Sequence, residues 1–210
     1  MLPDELQYPQ SPKHITLEKV LLVEGMGAFQ FFKALLRHLN LLSEIEIRNF
    51  GGINQLDFLE TLMITDGFDR LNSLGIVRDA EGNANSAFQS VSDLLSRVGL
   101  SVPQRPKAIA QGNPLVSVFI LPDCVNSGML ETLLYQAIGD DPAAACIEEH
   151  FQCLVEKGVA LPTNMDKARV HTFLSSKSPP GLLIGQAAHK GFWPWENSIF
   201  DGLKGFLKQI

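Results

Sequence analysis

Long apolar runs are absent from this sequence. No stretch approaches the ~20 residues that a bilayer-spanning helix needs. Met1-Leu2-Pro3-Asp4-Glu5 also lacks the basic region and apolar core of a secretory signal. A soluble, cytoplasmic protein without membrane contact is expected. Cysteine is scarce. Cys124, Cys146 and Cys153 are too few for a disulfide framework and fit reduced thiols. Positive charge is short as well, with 17 Lys and Arg against 23 Asp and Glu, a formal net charge of -6 and no basic cluster along the chain. Unassisted binding to a phosphate backbone is therefore disfavoured, although a bound metal can bridge acids to phosphates. There is no internal repeat, low-complexity tract or Ser-His-Asp signature. Gly25-Met26-Gly27 starts like a dinucleotide-binding fingerprint, but Gln30 stands where the third glycine belongs.

What is present suits a folded globular chain: 210 residues, 45% hydrophobic and 19% charged, enough for one large domain or a core with an extension. Two short apolar runs end in acids. Val20-Leu21-Leu22-Val23 leads into Glu24-Gly25, and Leu74-Gly75-Ile76-Val77 leads into Arg78-Asp79-Ala80-Glu81-Gly82. Neither run alternates with polar residues, which predicts strands buried on both faces in a parallel sheet covered by helices. Ligands in such sheets bind beyond the carboxyl ends of the strands. Glu24, Asp79 and Glu81 are therefore candidates for one site. A strand extended through Ala80 would project Asp79 and Glu81 to the same side. Hard divalent cations such as Mg²⁺ take one or two carboxylates together with phosphate and water, and Glu24 could complete the shell or act as general base. The alternative is that these acids are solvated and cap the helices behind them.

In chain order, an irregular leader is expected over 1–17, a strand at 19–23 and a helix over 27–40 whose apolar face carries Phe29, Phe32, Leu35, Leu36 and Leu39. Gly27 at that helix start leaves N–H groups free for an anion. Alternation of Ile45 and Ile47 with charged residues predicts a half-exposed edge strand over 44–50. Gly51-Gly52 then releases the chain into a helix with Leu56, Leu59, Leu62 and Met63. A third strand over 74–77 and right-handed crossovers predict the order 2-1-3, with the first strand central. A helix over 83–98, a Pro/Gly-rich loop over 101–114 and a strand over 115–121 follow. That strand ends at Pro122-Asp123, so Asp123 is either a further ligand or a turn-forming acid. Helices are expected over 128–138, 143–157, from Thr163 with Asp166 as a capping box through Ser176, and 185–190, with an amphipathic last helix carrying Ile199, Leu203, Phe206 and Leu207. Cys146, His150 and Cys153 share a helix face in the spacing of zinc ligands, but a fourth partner is missing. The expectation is a packed, metal-free and unbridged helix interface. Lys167, Arg169 and His171 are either phosphate contacts or a solvated face. Trp193-Pro194-Trp195 should pin the tail to the body.

A buried strand ending in Glu-Gly, a helix, a second strand and a third strand ending in an Asp-x-acid pair resembles a Toprim domain. That is the metal-dependent module of topoisomerases, bacterial primases and OLD-type nucleases. The whole chain resembles more closely a bacterial family of Toprim-like proteins, through Leu22-Val23-Glu24-Gly25, Asn49-Phe50-Gly51-Gly52, Arg78-Asp79-Ala80-Glu81, Gly112-Asn113-Pro114, Leu121-Pro122-Asp123, Gly128-Met129-Leu130-Glu131 and Trp193-Pro194-Trp195. The resemblance implies a Toprim-like, Rossmann-type α/β core over 18–125 and a helical extension over 126–210. It implies metal-dependent phosphoryl transfer, a Mg²⁺- or Mn²⁺-dependent nuclease acting on DNA or RNA, with Glu24, Asp79 and Glu81 as catalytic residues and metal ligands. Glu131 joins Asp123 as a supporting acid or a ligand to a second metal. One departure stands out: the family's first motif continues past Glu-Gly with charge, usually acidic, whereas here Met26-Gly27-Ala28 is uncharged. Glu81 also stands where an Asp is typical. The alternative function is a catalytically weakened, Toprim-derived binding or regulatory module.

Overall fold

The computed structural model describes residues 14–51 and 55–210. Its centre is a five-stranded sheet made of β1 (Lys19–Val23), β2 (Ile45–Asn49), β3 (Ser73–Asp79), β4 (Ile109–Ala110) and β5 (Leu115–Leu121), in the order β2-β1-β3-β5-β4. All pairings are parallel except β4 with β5. The expected 2-1-3 order is present, with β1 between β2 and β3, but the middle strand of the full sheet is β3 because β5 and β4 extend it on that side. The Pro/Gly-rich loop expected over 101–114 contains β4, an antiparallel pair of residues too short for any periodicity to reveal.

The sheet separates two apolar layers. Val20, Leu22, Leu74, Ile76, Val116, Val118 and Ile120 point to one side, where α2 (Gln55–Met63) and α3 (Ala84–Arg97) lie. Leu21, Val23, Ile45, Ile47, Val77, Phe119 and Leu121 point to the other. That face carries α1 (Gly25–His38) and the C-terminal helices α4 (Leu130–Ala137), α5 (Pro142–Glu156), α6 (Met165–Ser175), α7 (Ile184–His189) and α8 (Asp201–Gln209). The C-terminal helices thus share one core with the strands. The closing residue Ile210 lies so close over Gly75 that a Cβ there would come within 2.8 Å of its Cδ1.

β2 lies at the sheet edge as expected, but its polar positions are not solvated. Arg48 is only 4% exposed and pairs with Glu46 at 2.6 Å. Its guanidinium also donates to the His14 carbonyl, and Glu46 accepts from the Thr16 backbone N–H and hydroxyl. A buried charge survives only when paired, and residues 14–17 supply the remaining partners. The leader expected over 1–17 falls mostly outside the described residues, as does Gly52.

The tail is anchored as expected. Trp193 is 2% exposed, stacks on Phe173 and donates its indole N–H to the Ile184 carbonyl at 3.2 Å. Trp195 packs against Phe31 and Phe200. The expectation for α5 needs correction. Cys146, His150 and Cys153 are all exposed, not packed in an interface, and both cysteines are free thiols. Ala144, Ile147 and Phe151 form the buried stripe of that helix instead. Apolar residues outcompete cysteine for the core here, and the Cys/His face turns outward. No helix among the described residues is long and apolar enough to cross a membrane.

Candidate functional site

Beyond the carboxyl ends of β1 and β3 lies an open cavity of roughly 470 Å³. Glu24, Asp79 and Glu81 line it together, with Glu131 from the first turn of α4. Val23 pairs with Val77 in the β1–β3 register, so both strands deliver their acids to the same edge. Opposite them stand Asn164, Lys167 and His171 at the start and along one face of α6. Gly27 and Ala28 from the first turn of α1 and Leu183 and Ile184 from the start of α7 complete the wall.

The local backbone explains how the acids reach the cavity. Glu24 occupies the N-cap position of α1 but makes no capping hydrogen bond, and no acid lies in the first turn behind it. The following turn is tight. Gly25 has φ +86°, and Asn49 Oδ1 accepts from the N–H groups of both Gly25 and Gly51 at 2.8 Å each. A Cβ at Gly51 would sit 2.6 Å from the Gly25 nitrogen, so only glycine allows this approach.

The β3 end differs from expectation. The strand stops at Asp79, and Glu81 takes a left-handed conformation with φ 52°. Simple alternation along an extended strand therefore does not place Glu81. Reciprocal backbone hydrogen bonds between Glu81 and Gly128, both 2.8 Å, hold it there. A left-handed non-glycine residue costs of order 1–3 kcal/mol and persists only where surroundings hold it. Nor do the acids cap the helices behind them, since Asn83 caps α3. Asp79 instead reaches across to α4, where its Oδ1 accepts from the Leu130 N–H at 3.0 Å.

The cavity concentrates negative charge. Burial, then the neighbouring Glu131 carboxylate, push Asp79 from its ordinary 3.8 up to about 7, with Glu24 and Glu81 adding to the rise and the Leu130 N–H opposing it. Glu131 is 9% exposed and has Lys167 Nζ 3.8 Å from its Oε1. Asp123 takes no part. Its carboxylate accepts from the N–H groups of Val125 and Asn126 and from the Asn126 amide, a self-contained turn that holds its pKa low against partial burial.

α6 forms where its pattern predicts a helix, but its cap differs from the expected one. Asn164, not Thr163, accepts from the Lys167 N–H at 2.9 Å. Asp166 accepts from Thr132 Oγ1 at 2.6 Å and pairs with Arg169, while Arg169 grips Glu148 with two nitrogens. These contacts tie α6 to α4 and α5 and turn Lys167 and His171 towards the acids. Asn164 gave no sign in the sequence beyond its place before a helix. Among the described residues, no three His, Cys, Asp or Glu side chains are grouped tightly enough to hold one metal ion. The acids line one cavity without forming such a group.

Residues 18–210 match the family described as Protein of unknown function (DUF3226). The chain belongs to that family. No curated protein matches the DUF3226 chain. Among solved structures it is similar to the C-terminal region of the Burkholderia pseudomallei OLD protein, with 14% identity, a TM-score of 0.53 and coverage of 93% of this chain and 98% of that one. It is also similar to the C-terminal region of the Xanthomonas campestris pv. campestris OLD protein, with 13% identity, a TM-score of 0.51 and coverage of 93% and 96%. At such identities the likeness is one of fold. It extends over the helical C-terminal region as well as the sheet.

Proposed function

We propose that this DUF3226 chain is a Toprim-type, metal-dependent phosphoryl-transfer protein, a nuclease acting on DNA or RNA. One observation carries the reading: Glu24, Asp79, Glu81 and Glu131 line a single cavity at the carboxyl edge of a parallel sheet, facing Lys167 and His171. The fold likeness to OLD C-terminal regions and the Toprim-like order of the acids support it. The donor chemistry fits a hard cation, because the acidic wall residues offer carboxylate oxygens, and burial together with the neighbouring carboxylates raises the Asp79 pKa. Carboxylates that share a cavity without a tight three-ligand group suit Mg²⁺ or Mn²⁺ that keeps several of its waters.

In this reading Asp79 and Glu81 hold the ion, and Glu24 is a further ligand or the general base. Glu131 is the supporting acid that keeps Lys167 in place. A cation bound there would neutralise charge developing on phosphate oxygens. Lys167 presents its ammonium to a phosphate from the opposite wall. The first-turn N–H groups of α1 near Gly27 and Ala28 offer a second anchor for phosphate oxygens.

The test is cleavage of labelled single- and double-stranded DNA and RNA with Mg²⁺ or Mn²⁺. Wild type should cut at least one of them and Asp79→Asn should not. A second reading, the catalytically weakened binding or regulatory module, is favoured by the uncharged first turn of α1 and the lack of a tight three-ligand group among the described residues. It would be preferred if wild type cleaves nothing and Gly27→Asp/Ala28→Asp gains metal binding.

A further inference from the structure

The sequence contains no basic run, yet the fold builds a basic surface beside the cavity. α1 and α7 both begin at its wall, through Gly27 and Ala28 on one and Ile184 on the other. They pack so closely that a Cβ on Gly185 would lie 2.2 Å from the Gln30 Cβ. Gln30, Lys33 and Arg37 recur at helical spacing along one stripe of α1. The Arg37 guanidinium donates to His189 Nδ1 at 2.9 Å, and His189 Nε2 is 3.3 Å from Gln30 Oε1. His189 is thereby the neutral tautomer with its hydrogen on Nε2, in keeping with a pKa lowered by burial and by the charges of Arg37 and Lys33. Arg37 is fixed by a neutral partner, so its charge is not neutralised. Exposed Lys190 follows directly on α7.

Among the described residues, Lys33, Arg37 and Lys190 take part in no ion pair within 4 Å, and Glu196 contacts His38 at 3.3 Å and none of these three cations. Three cations without an ion-pair partner thus lie along α1 and at the end of α7, in a chain of net charge -6. From Ala28 to Arg37 the helix rises roughly 14 Å, about four nucleotide steps at 3.4 Å per strand.

We propose that a polynucleotide strand engaged at the cavity continues over the α1–α7 surface, with its backbone phosphates held by Lys33, Arg37 and Lys190. The inference rests on the phosphoryl-transfer reading for events in the cavity and makes the substrate a strand longer than a mononucleotide. Binding through this surface needs no metal, so it can be measured apart from cleavage.

The experiment is fluorescence anisotropy of labelled 12-nucleotide single-stranded DNA and RNA with the full chain in chelating, low-salt buffer. Dinucleotides serve as competitors. Wild type should bind a 12-mer, and a dinucleotide should compete poorly. Lys33→Glu/Arg37→Glu should weaken binding at least tenfold and flatten the slope of log affinity against log salt by about 1.4, at roughly 0.7 per phosphate contact. Lys33→Gln/Arg37→Gln should move the same way by less, with an unchanged melting temperature, and decides the matter if the Glu variant does not fold. Lys157→Glu/Lys208→Glu, at the C-terminal ends of α5 and α8 and outside α1 and α7, makes the same change of net charge and should bind as wild type does. No binding of either 12-mer by wild type would overturn the proposal, as would binding undiminished in both Lys33/Arg37 variants. Loss of binding in those variants without any cleavage by wild type would leave this surface standing and remove the nuclease reading. Cleavage unaffected by the variants would do the reverse.

Discussion

At the scale of single residues, Asp79 is the most informative. Its folded pKa of about 7 lies above its ordinary 3.8, so without a cation the fold favours its protonated form. Its contribution to stability is greatest below pH 3.8, declines as pH rises towards about 7 and is constant above that. Asp79→Asn keeps an oxygen for the Leu130 N–H but carries no charge. In chelating buffer at pH 8 the variant should therefore be more stable than wild type, by an amount on the order of 1–3 kcal/mol. The difference should vanish near pH 4. Urea denaturation of both proteins across that range checks it, and equal pH profiles would show that neither burial nor the neighbouring carboxylates raise the Asp79 pKa. That Asp79 and Glu81 lie beyond the end of a buried strand was legible from their position after an apolar run. Their local geometry was not, because Glu81 is set by backbone bonds to Gly128, a residue far along the chain.

Elements were legible where one residue pattern dominates. The apolar runs of β1, β3 and β5 have no polar interruption, and the stripe of α3 leaves no other register. β4 escaped notice because two residues carry no period, and its pairing to β5 is decided by the loop around it. The Cys/His face of α5 was misplaced because its spacing fits burial and exposure equally well. Packing of Ala144, Ile147 and Phe151 settles the orientation. The C-terminal helices depend on α7 and its anchor. Trp193 fills the space between Phe173 and Ile184 and satisfies its indole N–H there. Trp193→Ala should destabilise the chain by about 3–5 kcal/mol, measured by urea denaturation. A loss below about 1 kcal/mol would mean that the tail packs without this anchor.

For the whole molecule, the strands bring acids to one edge, and the C-terminal helices place Asn164, Lys167 and His171 across from them. Proximity between Glu24 and Asp79 followed from the parallel order, which the sequence made readable. The opposite wall did not, since Lys167 lies in a helix docked through Asp166, Arg169 and their partners on α4 and α5. The basic α1–α7 surface has the same origin: cations scattered along the sequence meet only after folding. If the acidic cavity holds a divalent cation, a melting-temperature titration of wild type and Asp79→Asn with Mg²⁺ and Mn²⁺ will show it. A ligand that binds only the folded state stabilises it by roughly 2.7 kcal/mol at a hundred times its Kd. Wild type should melt progressively higher as either ion rises into the millimolar range, and Asp79→Asn should lose most of that shift. A wild-type melting temperature unchanged by both ions, or a shift fully retained in Asp79→Asn, would mean that these carboxylates hold no cation.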